Sequence, residues 1–240
     1  MIKKLILTGL LSILGILTLT SSACMFVEGV DGNGNVQKQT REISRFDAIK
    51  ISGAFEVFLT QGQGESLVIE ADENLLPIIR TEVRGGTLII KSEENIRNAK
   101  EMNVFISFQT LEDLDLSGAV EVESQNALNL DNLKIDGSGA CEIMLDLTVK
   151  SMICEFSGAS ELELKGSAGT CVIDVSGAAE VDAYEFEVAE MEIEIGGAGD
   201  ARVFVTQELE ARVMGAGSIR YKGDPKINFH ESGSGSIKKR

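Results

Sequence analysis

The chain has 240 residues and a formal net charge of −16; it is 43% hydrophobic but only 5% aromatic, with 25 Gly, 2 Pro and no Trp. That acidity argues against nucleic acid as a partner, because phosphate contacts need clustered positive charge. Abundant Gly and an aliphatic interior point to an all-β chain of short strands and tight turns, long enough to bury a full core.

The N-terminus reads as an export signal over residues 1–23. Lys3 and Lys4 precede an apolar run from Leu5 to Leu19, and the small residues Thr20-Ser21-Ser22-Ala23 lead to Cys24. The run is short for a spanning helix. A Cys after small residues resembles a bacterial lipobox, so Cys24 is the predicted lipidation site and first mature residue, placing the protein on the outer membrane, periplasmic or surface-facing. Ser21 stands where the usual pattern has a large aliphatic residue, and plain cleavage after Ala23 is the alternative. Removing residues 1–23, with two lysines and no acid, changes the charge from −16 to −18. Residues 24–40, Gly/Asn-rich around Asp31-Gly32-Asn33-Gly34-Asn35 and without periodicity, read as the anchor and a flexible tether.

The folded domain is predicted over 41–240, irregular to about 115 and regular over 116–238. One phrase recurs through it: Ser117-Gly118-Ala119, Ser138-Gly139-Ala140, Ser157-Gly158-Ala159, Ser176-Gly177-Ala178, Gly196-Gly197-Ala198, Met214-Gly215-Ala216 and Ser232-Gly233-Ser234. The steps are 21, 19, 19, 20, 18 and 18 residues, and an isolated earlier copy is Ser52-Gly53-Ala54. A period near 19 is too short for helix-pair repeats and suits one coil of a single-stranded β-helix. Aligned copies also form apolar columns, such as Val122, Ile143, Leu162, Val181, Ala201, Ile219 and Ile237, separated at period two by charged ones. The Gly phrase is the expected corner. An up-and-down barrel is the rival, but it does not explain one phrase recurring in a constant frame.

Residues 41–70, with Arg41, Phe46, Ile49, Ile51, Gly53, Phe55, Val57, Leu59 and Gly62, are followed by Gly85-Gly86-Thr87-Leu88-Ile89 and then the Ser-Gly-Ala repeats. This combination, over about residues 38 to 238, resembles the putative auto-transporter adhesin, head GIN domain family, exported and often lipid-anchored proteins common in Bacteroidota. The resemblance implies a right-handed β-helix and an adhesin role, and carries over no catalytic motif.

Bottom-up, the chemistry-bearing residues are sparse. The single His230 has no nucleophile beside it in sequence, which gives a hydrolase no base to build on. Cys141, Cys154 and Cys171 lack CxxC spacing, and Cys154 and Cys171 fall in apolar columns, so they read as buried free thiols. Two carboxylate columns stand out: Glu121, Glu142, Glu161, Glu180 and Asp200, and Asp115, Asp136, Glu155, Asp174 and Glu194. The first is a candidate for Ca²⁺, a hard cation that takes several oxygen ligands. A solvated acidic face is favoured over it, because a straight column lacks the Asp/Asn/Gly loop of a dedicated site. Arg202, Arg220 and Lys238 predict a basic C-terminal end. No cofactor is expected.

The resulting expectation is a non-catalytic envelope lipoprotein that binds glycan or protein through long flat faces. Its alternatives are a polysaccharide lyase or glycosidase using paired carboxylates or Ca²⁺, which would need long loops that these short steps leave little room for, and a structural scaffold.

Overall fold

A computed structural model describes residues 29–240; the export signal expected over residues 1–23 and the expected lipidation site Cys24 lie outside them. The described chain is all-β, with no α-helix and no closed barrel. Its strands are β1 Val30–Asp31, β2 Val36–Arg41, β3 Ala48–Gln61, β4 Ser66–Asp72, β5 Ile79–Arg84, β6 Thr87–Ser92, β7 Ile96–Asn98, β8 Met102–Phe108 and β9 Asp113–Ser124. They continue as β10 Leu128–Ile195, β11 Ala198–Val213, β12 Ala216–Lys222, β13 Lys226–Glu231 and β14 Ser236–Lys239. β10 is one long run because the backbone stays extended through three of the Ser-Gly-Ala bends.

Successive repeats pair in parallel, residue on equivalent residue. Gly118 of β9 pairs with Gly139 of β10, Ala178 of β10 with Ala198 of β11, and Ala198 with Ala216 of β12. The C-terminal strands continue this: β13 lies on β11, and β14 on β12. Antiparallel neighbours, which an up-and-down barrel requires, are confined to the N-terminal part, where β2 pairs β4, β4 pairs β8 and β5 pairs β6.

The stacking explains the glycine phrase. A Cβ on Gly118 would lie 2.2 Å from the carbonyl oxygen of Gly53, one on Gly139 2.3 Å from that of Gly118, and one on Gly158 2.3 Å from that of Gly139. The series runs on through Gly177, Gly197, Gly215 and Gly233 at 2.0–2.4 Å. Left-handed backbone is needed at Gly53, Gly118, Gly139, Gly158 and Gly233 but not at the other three. Close approach to the preceding rung's backbone is therefore the constraint common to the seven from Gly118 to Gly233, whereas a Cβ on Gly53 would meet the ring of Phe55 at 2.9 Å.

The predicted columns are the core. Val122, Ile143, Leu162, Val181, Ala201 and Ile219 are buried, as are Ile135, Cys154, Ile173, Ile193 and Ala211. Each large aliphatic side chain so removed from water contributes about 2 kcal/mol before its entropy cost. Where one column falls to Gly137, the ring of Phe156 from the next repeat fills the space, 2.5 Å from where a Cβ would stand.

Two sequence expectations change. The supposed tether over 24–40 is strand in part: β1 pairs with β7, and β2 pairs with β4 from Val36↔Asp72 to Arg41↔Leu67. β2 is polar at nearly every position because it is an edge strand, held by backbone hydrogen bonds with little buried face, so it lacks periodicity. The isolated Ser52-Gly53-Ala54 copy is also a full member of the stack: β3 pairs with β9 over Ala48↔Asp113 to Leu59↔Ser124. Residues 62–112 are an excursion inserted between two neighbouring repeats. Beyond β3 it adds β6 on the first half of that strand and β8 on the second.

Candidate functional site

The excursion builds one wall of a groove of about 1620 Å³ that runs along the stack. Its floor is the residue after each corner glycine: Ala54, Ala119, Ala140, Ala159, Ala178, Ala198 and Ala216. Side chains this small leave the backbone open to a ligand. Its rim is the first carboxylate column, two residues further on, and the opposite wall is the segment from Ser92 to Asn103.

That wall is tied down by two aspartates. Asp72, fully buried, accepts hydrogen bonds from the backbone N–H of Gly34 and of Lys100, the latter at 2.7 Å. Asp31 accepts from Nδ2 of Asn98 at 2.8 Å and pairs with Arg97, and the Asn98 bond, followed by Arg97, holds its carboxyl below the ordinary value. A carboxylate that accepts several N–H bonds fixes the segments donating them. Asp72 therefore joins the N-terminal loop to the β7–β8 connection and sets the wall's position.

All five sequence candidates, Glu121, Glu142, Glu161, Glu180 and Asp200, line this groove, and the structure adds Glu56, paired with Glu121 and missed in the sequence reading. The Ser52-Gly53-Ala54 copy was the signal that could have found it, since Glu56 is two residues past Ala54. The rim is not uniform. Arg202 pairs with Glu180 at 3.2 Å and the Ser218 hydroxyl donates to Asp200. Glu56, Glu121, Glu142 and Glu161 make no ion pair among the described residues. The carboxylates follow one another in a line, and among the described residues no three of Asp, Glu, His and Cys converge to hold a metal ion.

The second column behaves differently. Lys50 pairs with Asp115, Lys134 bridges Asp136 at 3.0 Å and Glu155 at 2.9 Å, and Arg212 reaches Glu194 at 3.8 Å. The Lys134 bond holds the Glu155 carboxyl below the ordinary value, and Glu155 in turn raises the Lys134 ammonium. Asp113, beside this cluster, is pushed up by partial burial and then by Asp136.

The three cysteines are free and buried. Burial raises all three thiols, Cys171 to about 12, so they are unreactive core groups at neutral pH. His230 is exposed on β13, opposite Arg212 of β11.

A family profile described as putative auto-transporter adhesin, head GIN domain matches residues 45–225, which takes in the groove and the whole stack up to β12. The chain belongs to this family. Among solved structures, a putative adhesin from Bacteroides fragilis is 25% identical, with a TM-score of 0.82 over 88% of this chain and 100% of that one. A putative lipid binding protein from Parabacteroides distasonis is also 25% identical, with a TM-score of 0.69 over 89% and 100%. A putative adhesin from Parabacteroides merdae shares the fold at 24% identity, TM-score 0.65, over 88% and 98%. Curated proteins give no match.

Proposed function

We propose that this head GIN domain protein is a non-catalytic cell-envelope lipoprotein, anchored through Cys24 to the outer membrane, that holds a glycan or protein ligand in the groove. On this reading the stacked repeats are coils of a single-stranded right-handed β-helix of about 19 residues per coil. The supporting observation is the groove's regularity: an alanine floor repeated from Ala54 to Ala216 beside a carboxylate rim whose Glu56, Glu121, Glu142 and Glu161 lack cations among the described residues. Rungs ~4.8 Å apart present identical acceptors to a ligand that is itself extended and periodic. Carboxylates accept hydrogen bonds from sugar hydroxyls or peptide amides, while the small floor admits close contact with the backbone. The family description and the adhesin neighbours agree with an interaction role.

The test is binding of the purified protein to a glycan array and to intact cells. Ala159→Phe, at an exposed floor position, should abolish the wild-type signal without unfolding the chain. Background signal for the wild type on both, or full binding by the variant, would refute the groove as the binding site. The anchor has its own readout, since Cys24→Ser should move the protein from the membrane to the soluble fraction.

A further inference from the structure

A face made of three columns starts at the groove's rim. The first runs Glu121, Glu142, Glu161, Glu180, Asp200, Ser218 and Ser236; the second Glu123, Met144, Glu163, Asp182, Arg202, Arg220 and Lys238. The third holds Asp146, Lys165, Phe204, Lys222 and Arg240, with Tyr184 in the irregular stretch between Ala183 and Glu187. Charge changes sign along this face. In its first three repeats Glu121, Glu123, Glu142, Asp146 and Glu161 make no ion pair among the described residues. In the middle the charges cancel, through Lys165 with Glu163 at 2.8 Å and Arg202 with Glu180 and Asp182. In the last two repeats Arg220 and Lys238 are exposed without a carboxylate, and Lys222 and Arg240 lie over aromatic rings, Lys222 4.4 Å from that of Phe204 and Arg240 5.1 Å from that of Tyr184.

A face negative at one end, neutral in the middle and positive at the other is complementary to itself turned end for end. We propose that this face is a homodimer interface, on which a second copy of the chain docks antiparallel about a two-fold axis near the repeat of Glu180. Rotation there sets the last repeat against the first, column on like column, so that Lys238 meets Glu123 of the other copy, with Glu121 beside it, and Lys222 meets Asp146. Each contact is made twice, as a closed isologous interface requires. The two charge arrays need no adjustment of spacing, because both copies carry the same rungs ~4.8 Å apart. The face measures ~29 Å along the stack by ~20 Å along the strands, or ~600 Å² per copy. That approaches the ~800 Å² per partner of a standard interface, and the exposed charges set its orientation.

The experiment is zero-length carbodiimide crosslinking of the protein as the cell produces it, in mild non-ionic detergent at low salt, with peptides mapped by mass spectrometry. Peptides joining Lys238 to Glu123 or Glu121, and Lys222 to Asp146, are expected. Within one chain these pairs are four to six rungs apart, ~19–29 Å, beyond such a reagent. Arg220→Glu with Lys238→Glu should cut the Lys222–Asp146 peptide, and separately Glu142→Lys with Glu161→Lys the Lys238–Glu123 peptide, each at least about tenfold. Mixing the two variants should restore the peptide between Glu121 of the first and Lys238 of the second, which also shows that both fold. Absence of these peptides in the wild type, or yields unaffected by either reversal, would overturn the interface. So would a monomer whose basic end instead retains a sulfated polysaccharide.

Discussion

The two carboxylate columns have the same rung spacing and opposite electrostatic treatment. Asp115, Asp136 and Glu155 are laced by Lys50 and Lys134, and Glu194 by Arg212, leaving Asp174 as the exception. Glu56, Glu121, Glu142 and Glu161 stand along the groove without a cation among the described residues. Stacking identical charges is therefore tolerated by this fold whether or not it is relieved. Where relief is supplied the column serves the scaffold; where it is withheld, the carboxylates keep their hydrogen-bonding capacity for something outside the chain.

The largest effect should come from breaking the stack that aligns both columns. Gly158→Ala forces a Cβ to within 2.3 Å of the Gly139 carbonyl oxygen at positive φ. We expect a loss of at least ~3 kcal/mol, or failure to fold, by urea denaturation. Gly62→Ala, with nothing within 4 Å, is the control and should shift stability by no more than ~0.5 kcal/mol. Equal effects would mean that the corners are not closely stacked.

A smaller effect should follow Lys134→Met, which strips the bridge from the second column. The pair is exposed, so Tm should fall by no more than ~4 °C at neutral pH. Its pH dependence has a definite sign. Glu155 is held below the ordinary glutamate value, so its contribution is complete above that value and disappears as the pH drops through the folded one. Lys134 is raised above 10.5, so its contribution is complete below that pH and fades at more alkaline values. The difference between wild type and variant should thus be greatest in the neutral range and close in acid; a difference that persists at pH 2 would show that lost packing, not charge, is responsible.

The smallest effect should have the opposite sign. Glu142→Gln with Glu161→Gln removes like charges from the uncompensated column and should raise Tm by ~1–2 °C at low salt, with the gain vanishing near 1 M salt. The matching change Glu155→Gln should lower Tm. If both lower it, the groove column has a partner within the chain and the contrast between the columns fails.

Local chemistry alone made the repeating half legible. The Gly phrase marked one stacked corner in each repeat from Gly118 to Gly233, and alternation placed Val122, Ile143, Leu162 and Val181 inside, because parallel in-register stacking demands the same residue type at the same rung position. It also foretold the basic C-terminal end, where Arg202, Arg220 and Lys238 follow one another on paired rungs.

Only the tertiary structure decided what the excursion does. β2 is an edge strand whose order comes from its partner, so nothing periodic betrays it, and residues read as tether proved to be paired. Asp72 looks like any surface carboxylate in sequence, yet it is fully buried and clasps two loops distant in the chain. The adjacency of Gly53 and Gly118, 65 positions apart, likewise requires knowing that the intervening chain leaves the stack and returns. Repetition can be read from a sequence because each rung repeats the same local physics; the wall that turns a flat face into a groove depends on contacts made once, between segments with nothing in common but their position in space.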